Sequence, residues 1–294
     1  MKDLSIYIHV PFCDHKCIYC DFYSIINFES RKKFLDSIKK EINNYRYLKE
    51  ERLVKSVFFG GGTPSILDPD EIAFILDAIS SVFNVDENAE ITFESNPGTV
   101  DEAKLNEIKK TGINRLSIGV QSFDDDELKF LTRIHDRQTA INTFDLAVKS
   151  GFDNINIDLI FNLPGQTKSL WESNLAQAVK LPVTHISAYS LILERGTILN
   201  KMVLDGKIKI SDSEFDADLY EYTIDFLGEH SFLQYEVSNF AKPGFKCIHN
   251  LVYWQHKEYI GLGPSAHSFI FGPSSIAYCN SFGRITCSSI LLFL

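Results

Sequence analysis

This chain predicts an α/β fold built on a parallel sheet, on three observations. Six short strand patterns alternate with helical ones between residues 4 and 191. Cap and stop residues punctuate the helices. Polar residues recur just past the strand ends, where parallel α/β sheets gather function. Strands alternating with helices imply parallel pairing, which a doubly wound sheet and a barrel-like sheet both satisfy.

Leu4, Ile6 and Ile8 alternate with polar neighbours up to His9-Val10, a strand signature. A polar loop with three cysteines follows, then a helical pattern from about Glu29 to Leu48. Val54 to Phe59 is the second strand and ends in Gly60-Gly61-Gly62. Asp68, Pro69 and Glu71 then stand as N-cap, first and third positions of a helix. Ile91 to Glu94 is the third strand, and Thr99 with Glu102 reads as a capping box for a helix that stops at Gly112. Arg115 to Gly119 is the fourth strand, followed by helices from about Asp124 and Gln138, the second closed by Gly151. Ile155 to Ile160, a helix around Trp171, and His185 to Leu191 complete the series. A long helix then runs from Ser211, boxed with Glu214, towards His230, and Tyr235 to Ser238 reads as a further strand.

The 294 residues carry 29 Lys+Arg against 39 Asp+Glu, a net charge of −10, which argues against nucleic acid as partner. A hydrophobic share of 45% with 23% charged residues excludes a disordered chain. No run reaches the ~18 apolar residues of a transmembrane segment, and the start lacks a secretory h-region. Six cysteines without a signal peptide then point to a reducing, cytoplasmic setting and to metal or catalytic use.

Cys13, Cys17 and Cys20 form a C-x3-C-x2-C run in the loop after the first strand. Thiolates so closely spaced wrap one soft metal centre, and three of them leave a position open for a small ligand. Spacing alone leaves two centres open: an iron–sulfur cluster, or zinc completed by His9 or His15. Phe59-Gly60-Gly61-Gly62-Thr63-Pro64-Ser65 lets backbone approach a ligand closely, although the same run also reads as a tight turn. It is neither a Walker A loop nor a dinucleotide fingerprint. Glu94, Gln121 and Arg133, at or beyond strand ends, each read alone as a structural ion pair or cap. Asp158 inside an apolar strand is harder to dismiss, because an unpaired buried carboxylate is costly.

Taken together, the cysteine run, Tyr19 before its last member and the glycine triplet resemble the radical SAM superfamily. The match is to its coproporphyrinogen dehydrogenase-like branch and covers roughly Ile6 to Ser268. The resemblance implies an incomplete (β/α)6, TIM-like barrel over 1–235, with a shortened C-terminal α+β extension over 236–294. It implies a [4Fe–4S] cluster on Cys13, Cys17 and Cys20, whose fourth iron is chelated by S-adenosylmethionine (SAM). Reductive cleavage of the sulfonium then gives a 5′-deoxyadenosyl radical. By the same resemblance Tyr7, Tyr19, Gly61 and Glu94 serve this SAM, and Gly62, Thr63, Gln121, Arg133 and Asp158 match positions assigned to a second.

Within the branch, the dehydrogenase has a fourth cysteine where this chain has Phe22, and an N-terminal extension where this chain begins its first strand. His249-Asn250-Leu251-Val252-Tyr253-Trp254 fits the H-N-x-x-Y-W motif of the HemW group of haem chaperones. That implies haem binding involving His249, with Cys247 as an alternative ligand, and delivery of haem to membrane haem proteins from the cytoplasmic face. A structural histidine among core aromatics is the plainer reading of the same residues. The competing function is SAM-dependent oxidative decarboxylation of coproporphyrinogen III, and a tRNA-modifying enzyme is a third. Tyr259 to Ser268 matches the branch without separating its members. After Glu258 the only charged residue is Arg284, and the chain closes on Ser289-Ile290-Leu291-Leu292-Phe293-Leu294. The expectation from that charge-poor end is a truncated or frame-shifted product.

Overall fold

The computed structural model describes residues 1–271. Six parallel strands form its centre: β1 (Lys2–Val10), β2 (Arg52–Gly61), β3 (Asn84–Ser95), β4 (Arg115–Gln121), β5 (Ile155–Phe161) and β6 (His185–Ser190). Helices α1 (Arg31–Asn44), α2 (Pro69–Val82), α3 (Glu102–Lys110), α4 (Asp125–Phe130), α5 (Arg137–Lys149) and α6 (Lys168–Ala178) connect them. Beyond β6 come α7 (Ile198–Leu204), α8 (Ser213–Glu229), the short antiparallel pair β7 (Leu233–Gln234) and β8 (Asn239–Ala241), α9 (Ile248–Trp254) and β9 (Tyr259–Leu262). The sheet order is β7-β8-β6-β5-β4-β3-β2-β1-β9, with β8 antiparallel to β6 and β9 parallel to β1. The described sheet is open, a mixed α/β incomplete barrel, as the βα rhythm and the resemblance imply.

Parallel strands are commonly apolar on both faces, and these are not. Ile6 and Ile8, Val57 and Phe59, Leu116 and Ile118, and Ile155 and Ile157 face the helices and make the core. The alternate residues meet across the opposite face: Ser5 with Ser56 and Glu90, Tyr7 with Phe58, Thr92 and Arg115, and Glu94 with Ser117, Asn156 and His185. Strict alternation therefore records a sheet whose concave face is a polar chamber.

The helices begin where short polar side chains satisfy free N–H groups. At α2 the Asp68 N–H donates to Glu71 Oε2 at 2.9 Å, and Pro69 occupies the first position. Two expected caps move. The α3 cap is Asp101, which accepts from Lys104 N at 2.8 Å, while the Thr99 hydroxyl donates to Asn96 O at 2.7 Å. The α8 cap is Asp212 rather than Ser211, accepting from Phe215 N at 2.9 Å. In both cases a carboxylate one or two residues downstream outcompetes a hydroxyl, because its charge also favours the positive helix end. The strand expected over Tyr235–Ser238 is instead the turn between β7 and β8, where the Glu236 carboxylate accepts from Ser238 N at 3.0 Å. Such a local side-chain bond competes with strand pairing. Strand β3 starts seven residues earlier than its apolar run, and Asp86 in that polar start pairs with Lys55 of β2. The charge-poor end falls beyond residue 271, outside the described residues.

Candidate functional site

The cysteine loop hangs from the end of β1 by backbone bonds. Cys13 N donates to Ile25 O at 3.0 Å and Ile25 N to Pro11 O at 2.7 Å. The glycine run locks against it, with Gly62 N on Val10 O at 2.8 Å and Thr63 N on Phe12 O at 2.7 Å. A Cβ at Gly62 would lie 2.6 Å from Phe12 O and 3.0 Å from Cys13 Sγ, so only glycine permits this approach. Gly61 holds φ +109° beside the His9 ring.

From the thiols a hydrogen-bonded chain runs across the sheet. The Thr63 hydroxyl points at Cys13 Sγ (3.5 Å) and Arg133 Nη1 at Cys17 Sγ (3.7 Å). Asn96 joins them, donating to Thr63 Oγ1 at 3.0 Å and accepting from Arg133 Nη2 at 2.7 Å. Arg133 also donates to Gly119 O at 2.6 Å, beside Gln121, whose φ of +72° marks a strained strand end. Tyr19 packs with Leu131, Ile160 and Leu163 and bonds Arg133. Glu94, Tyr7 and Phe58 crowd round Gly60, and Asp158 accepts from Asn156 Nδ2 at 2.7 Å and from Ser117 at 3.2 Å. Tyr7, Tyr19, Gly61, Gly62, Glu94, Gln121, Arg133 and Asp158 are all half-buried, and Thr63 is buried. They gather as one cluster, the candidate recess, towards the carboxyl ends of β1 to β5.

The electrostatics of that recess favour a cationic guest. Glu94 is pushed up to about 8, first by burial and then by the Asp158 charge, and burial likewise raises Asp158. Two buried carboxylates raised in this way are stabilised in their charged forms by a neighbouring cation. Burial raises Cys13 and Cys20 too, the latter to about 11, so a metal centre there must displace protons. The imidazoles that would complete a zinc site are engaged elsewhere. His9 bonds Tyr23 O (2.8 Å) and the Tyr7 hydroxyl (3.2 Å), and His15 bonds Thr132 Oγ1 (3.1 Å). Among the described residues no three His, Cys, Asp or Glu donors converge as single-ion ligands.

A family model described as the radical SAM superfamily matches residues 7–176, the span that builds this recess. The chain belongs to the radical SAM superfamily. Its relatives place it in the HemN/HemW-like branch. It is 37% identical over 274 residues to "Heme chaperone HemW" of Bacillus subtilis, covering 92% of this chain and 72% of that one. It is 35% identical to the protein of the same name from Lactococcus lactis, covering 92% and 71%. The solved structure of Escherichia coli coproporphyrinogen III oxidase (HemN) superposes with a TM-score of 0.77 at 26% identity, covering 91% of this chain and 64% of that one.

The superfamily implies a [4Fe–4S] cluster and SAM, and the residues of this radical SAM protein fit both. Three thiols without an imidazole partner suit a cluster with one open iron. The Gly60–Gly62 cradle and the Glu94–Asp158 pair suit a guest carrying N–H donors and a sulfonium charge. Cys13, Cys17 and Cys20 would hold the cluster, with Tyr7, Gly61 and Glu94 against SAM. When bound, the pair supplies reductive cleavage of the sulfonium.

His249 does not join the recess. It lies one layer deeper, 1% exposed, with Nδ1 on Ser56 Oγ (2.9 Å) and Nε2 on Tyr253 Oη (3.0 Å). Its ring packs 5.1 Å from Phe58 and 6.3 Å from Tyr7, and burial lowers it to about 3, so it is neutral. Helix α9, which carries it, is capped from outside: Glu90 of β3 accepts from Cys247 Sγ (3.3 Å) and from the N–H groups of Ile248 and His249 (each 3.1 Å). Sequence reasoning missed this cap and missed Asn96 as the joint of the recess. For Asn96 the signal was present, two residues beyond Glu94 and before Pro97. For Glu90, whose partners lie more than 150 residues away, there was none.

Proposed function

We propose that this radical SAM protein binds haem and delivers it to haem proteins of a membrane, working from the cytoplasmic side as a peripheral protein. The reading is carried by two relatives named heme chaperone HemW that match over 92% of the chain. Phe22 supports it, standing exposed where the dehydrogenase places its fourth cysteine. Among the described residues no helix is long and apolar enough to cross a membrane. The cluster and one SAM occupy the recess, and Gly62, Thr63, Gln121, Arg133 and Asp158 offer a second SAM its contacts. Residues 1–235 form the SAM core and 236–294 the region that engages haem.

His249 is the candidate iron ligand, and its setting adds a requirement: Nε2 must leave Tyr253 before it can bind iron. Anaerobic haem titration of the reconstituted protein tests this. Wild type is expected to bind, His249→Ala to lose the histidine-ligated spectrum, and Tyr253→Phe to bind more tightly because Nε2 is released. Unchanged spectra in both variants would move the ligand elsewhere. In a parallel assay with SAM, reductant and coproporphyrinogen III, no porphyrinogen product is expected while a HemN control turns over. Robust decarboxylation would overturn the chaperone reading.

A further inference from the structure

Asn96, the residue that joins the recess, carries an amide whose two ends are not interchangeable. A guanidinium has only donors, so the amide oxygen must face Arg133, whose Nη2 donates to Asn96 Oδ1 at 2.7 Å. The amide nitrogen then faces Thr63 and donates to its Oγ1 at 3.0 Å. A hydroxyl has a single proton. Because the Thr63 oxygen is an acceptor towards Asn96, that proton is left to donate to Cys13 Sγ, 3.5 Å away.

The Arg133 side obeys the same count. Nη2 gives one hydrogen to Asn96 and the other to Gly119 O at 2.6 Å, which turns Nη1 towards Cys17 Sγ at 3.7 Å. Turning the amide over would set donor against donor on the Arg133 side, and the backbone of Asn96 is pinned besides. Ser65 Oγ accepts from Asn96 N at 3.3 Å, and the Thr99 hydroxyl donates to Asn96 O at 2.7 Å. Gly119 leaves the amide its space, since a Cβ there would stand 3.2 Å from Asn96 Oδ1. Thr63 is held in turn by its N–H on Phe12 O at 2.7 Å. Cys20 takes its contact from the backbone of Phe22.

We propose that Asn96 is a positioning residue for the cluster: its amide aims the Thr63 proton at Cys13 and the Arg133 fork at Cys17, and so sets the reduction potential. This rests on reading Cys13, Cys17 and Cys20 as the cluster ligands. A donor to a ligating sulfur offsets negative charge, and the reduced cluster, with one electron more, gains more from it than the oxidised one. The potential therefore rises with each such bond. Two of the three ligating sulfurs thus depend on a side chain that touches neither of them.

The test is an anaerobic redox titration of the cluster-reconstituted full chain, followed by electron paramagnetic resonance. It is run without SAM, so that contacts to the guest do not enter. Thr63→Val removes the proton and should lower the reduced-to-oxidised ratio at a fixed potential about tenfold, which is ~59 mV for one electron. Thr63→Ser keeps the hydroxyl and should stay within about threefold of wild type. Asn96→Asp has no proton to offer Thr63, so the hydroxyl turns to the carboxylate and away from Cys13. In that background Thr63→Val should move the potential less than about half as far as in wild type, a comparison in which the added charge cancels. Asn96→Leu is the second background, carries the test if Asn96→Asp does not fold, and should show the same loss of coupling. An unmoved potential in Thr63→Val, or an equal Thr63→Val shift in every Asn96 background, would overturn the proposal. A reconstituted wild type without a [4Fe–4S] signal would instead overturn the ligand reading beneath it.

Discussion

Replacing Glu258 by alanine tests how this open sheet is held at its β9 edge. Arg52 Nε lies 2.5 Å from Glu258 Oε2 and Nη2 lies 3.1 Å from Oε1, with the two side chains 5% and 3% exposed. The pair joins the start of β2 to the residue before β9. Removing one partner of such a pair costs about 3–5 kcal/mol, because the remaining charge stays buried. Phe271 N also loses its acceptor, Glu258 Oε1 at 2.7 Å, which adds about 1 kcal/mol. Arg52 keeps Glu51 at 3.0 Å, but that carboxylate is 69% exposed and returns less than about 1 kcal/mol. The net expectation is about 3–5 kcal/mol, a fall in Tm of roughly 6–10 °C for a chain of this size. Urea unfolding followed by far-UV circular dichroism, with thermal melts alongside, reads both quantities. The double variant Arg52→Met, Glu258→Leu should recover most of the loss, since it leaves no orphan charge. A single-variant loss below about 1 kcal/mol would refute the reasoning, because Arg52 would then have found water or another partner.

Two further outcomes follow from the same structure. Alanine at Cys13, Cys17 or Cys20 should abolish iron retention and the visible cluster absorption after anaerobic reconstitution. Cys247→Ala should retain both, since that thiol is buried against Glu90, away from the recess. Stability should fall as pH drops below about 6.5, the ordinary value for an unfolded histidine. Burial lowers His249 to about 3 and His135 to about 4, and lowers His185 as well. The unfolded chain therefore binds protons that the folded one refuses, at about 2 kcal/mol per histidine by pH 5. Urea midpoints at pH 7 and pH 5 check the sign, and a midpoint that rises on acidification would contradict it.

The six βα units were legible because each strand announces itself by alternation and each helix by a cap or a glycine stop. The recess was legible residue by residue, since the three thiols, the glycine run and Glu94 sit at strand ends that a parallel sheet gathers together. What sequence did not show was depth. His249 and Asp158 look alike as polar residues among apolar neighbours, yet Asp158 lines the recess and His249 lies beneath it, hydrogen-bonded on both nitrogens. That difference comes from Ser56, Tyr253 and Glu90, whose convergence depends on sheet register. The misplaced cap at Ser211 and the supposed strand at Tyr235 share one cause: a nearby carboxylate, Asp212 or Glu236, offers the backbone a better local partner.

Because β9 pairs in parallel with β1, a late segment of the chain returns to its first strand. Ile6 is hydrogen-bonded in register with Val57 on one side and Ile260 on the other, partners about 50 and roughly 250 residues away. At about 5–20 residues per second, β1 waits on the order of 10–50 s during synthesis between gaining its first neighbour and its second. Its far edge stays unpaired through that interval, and an apolar strand edge of this kind invites another chain. The cysteine loop is tied first to the glycine run after β2, through Gly62 N on Val10 O and Thr63 N on Phe12 O, and then to Thr132, Arg133 and Leu199 much later in the chain. The metal-binding end of the molecule is therefore begun early and completed only when α7 has been made, while the opposite flank of β1 depends on a still later arrival. In vivo yield of this fold should thus be limited by how long the nascent chain is protected.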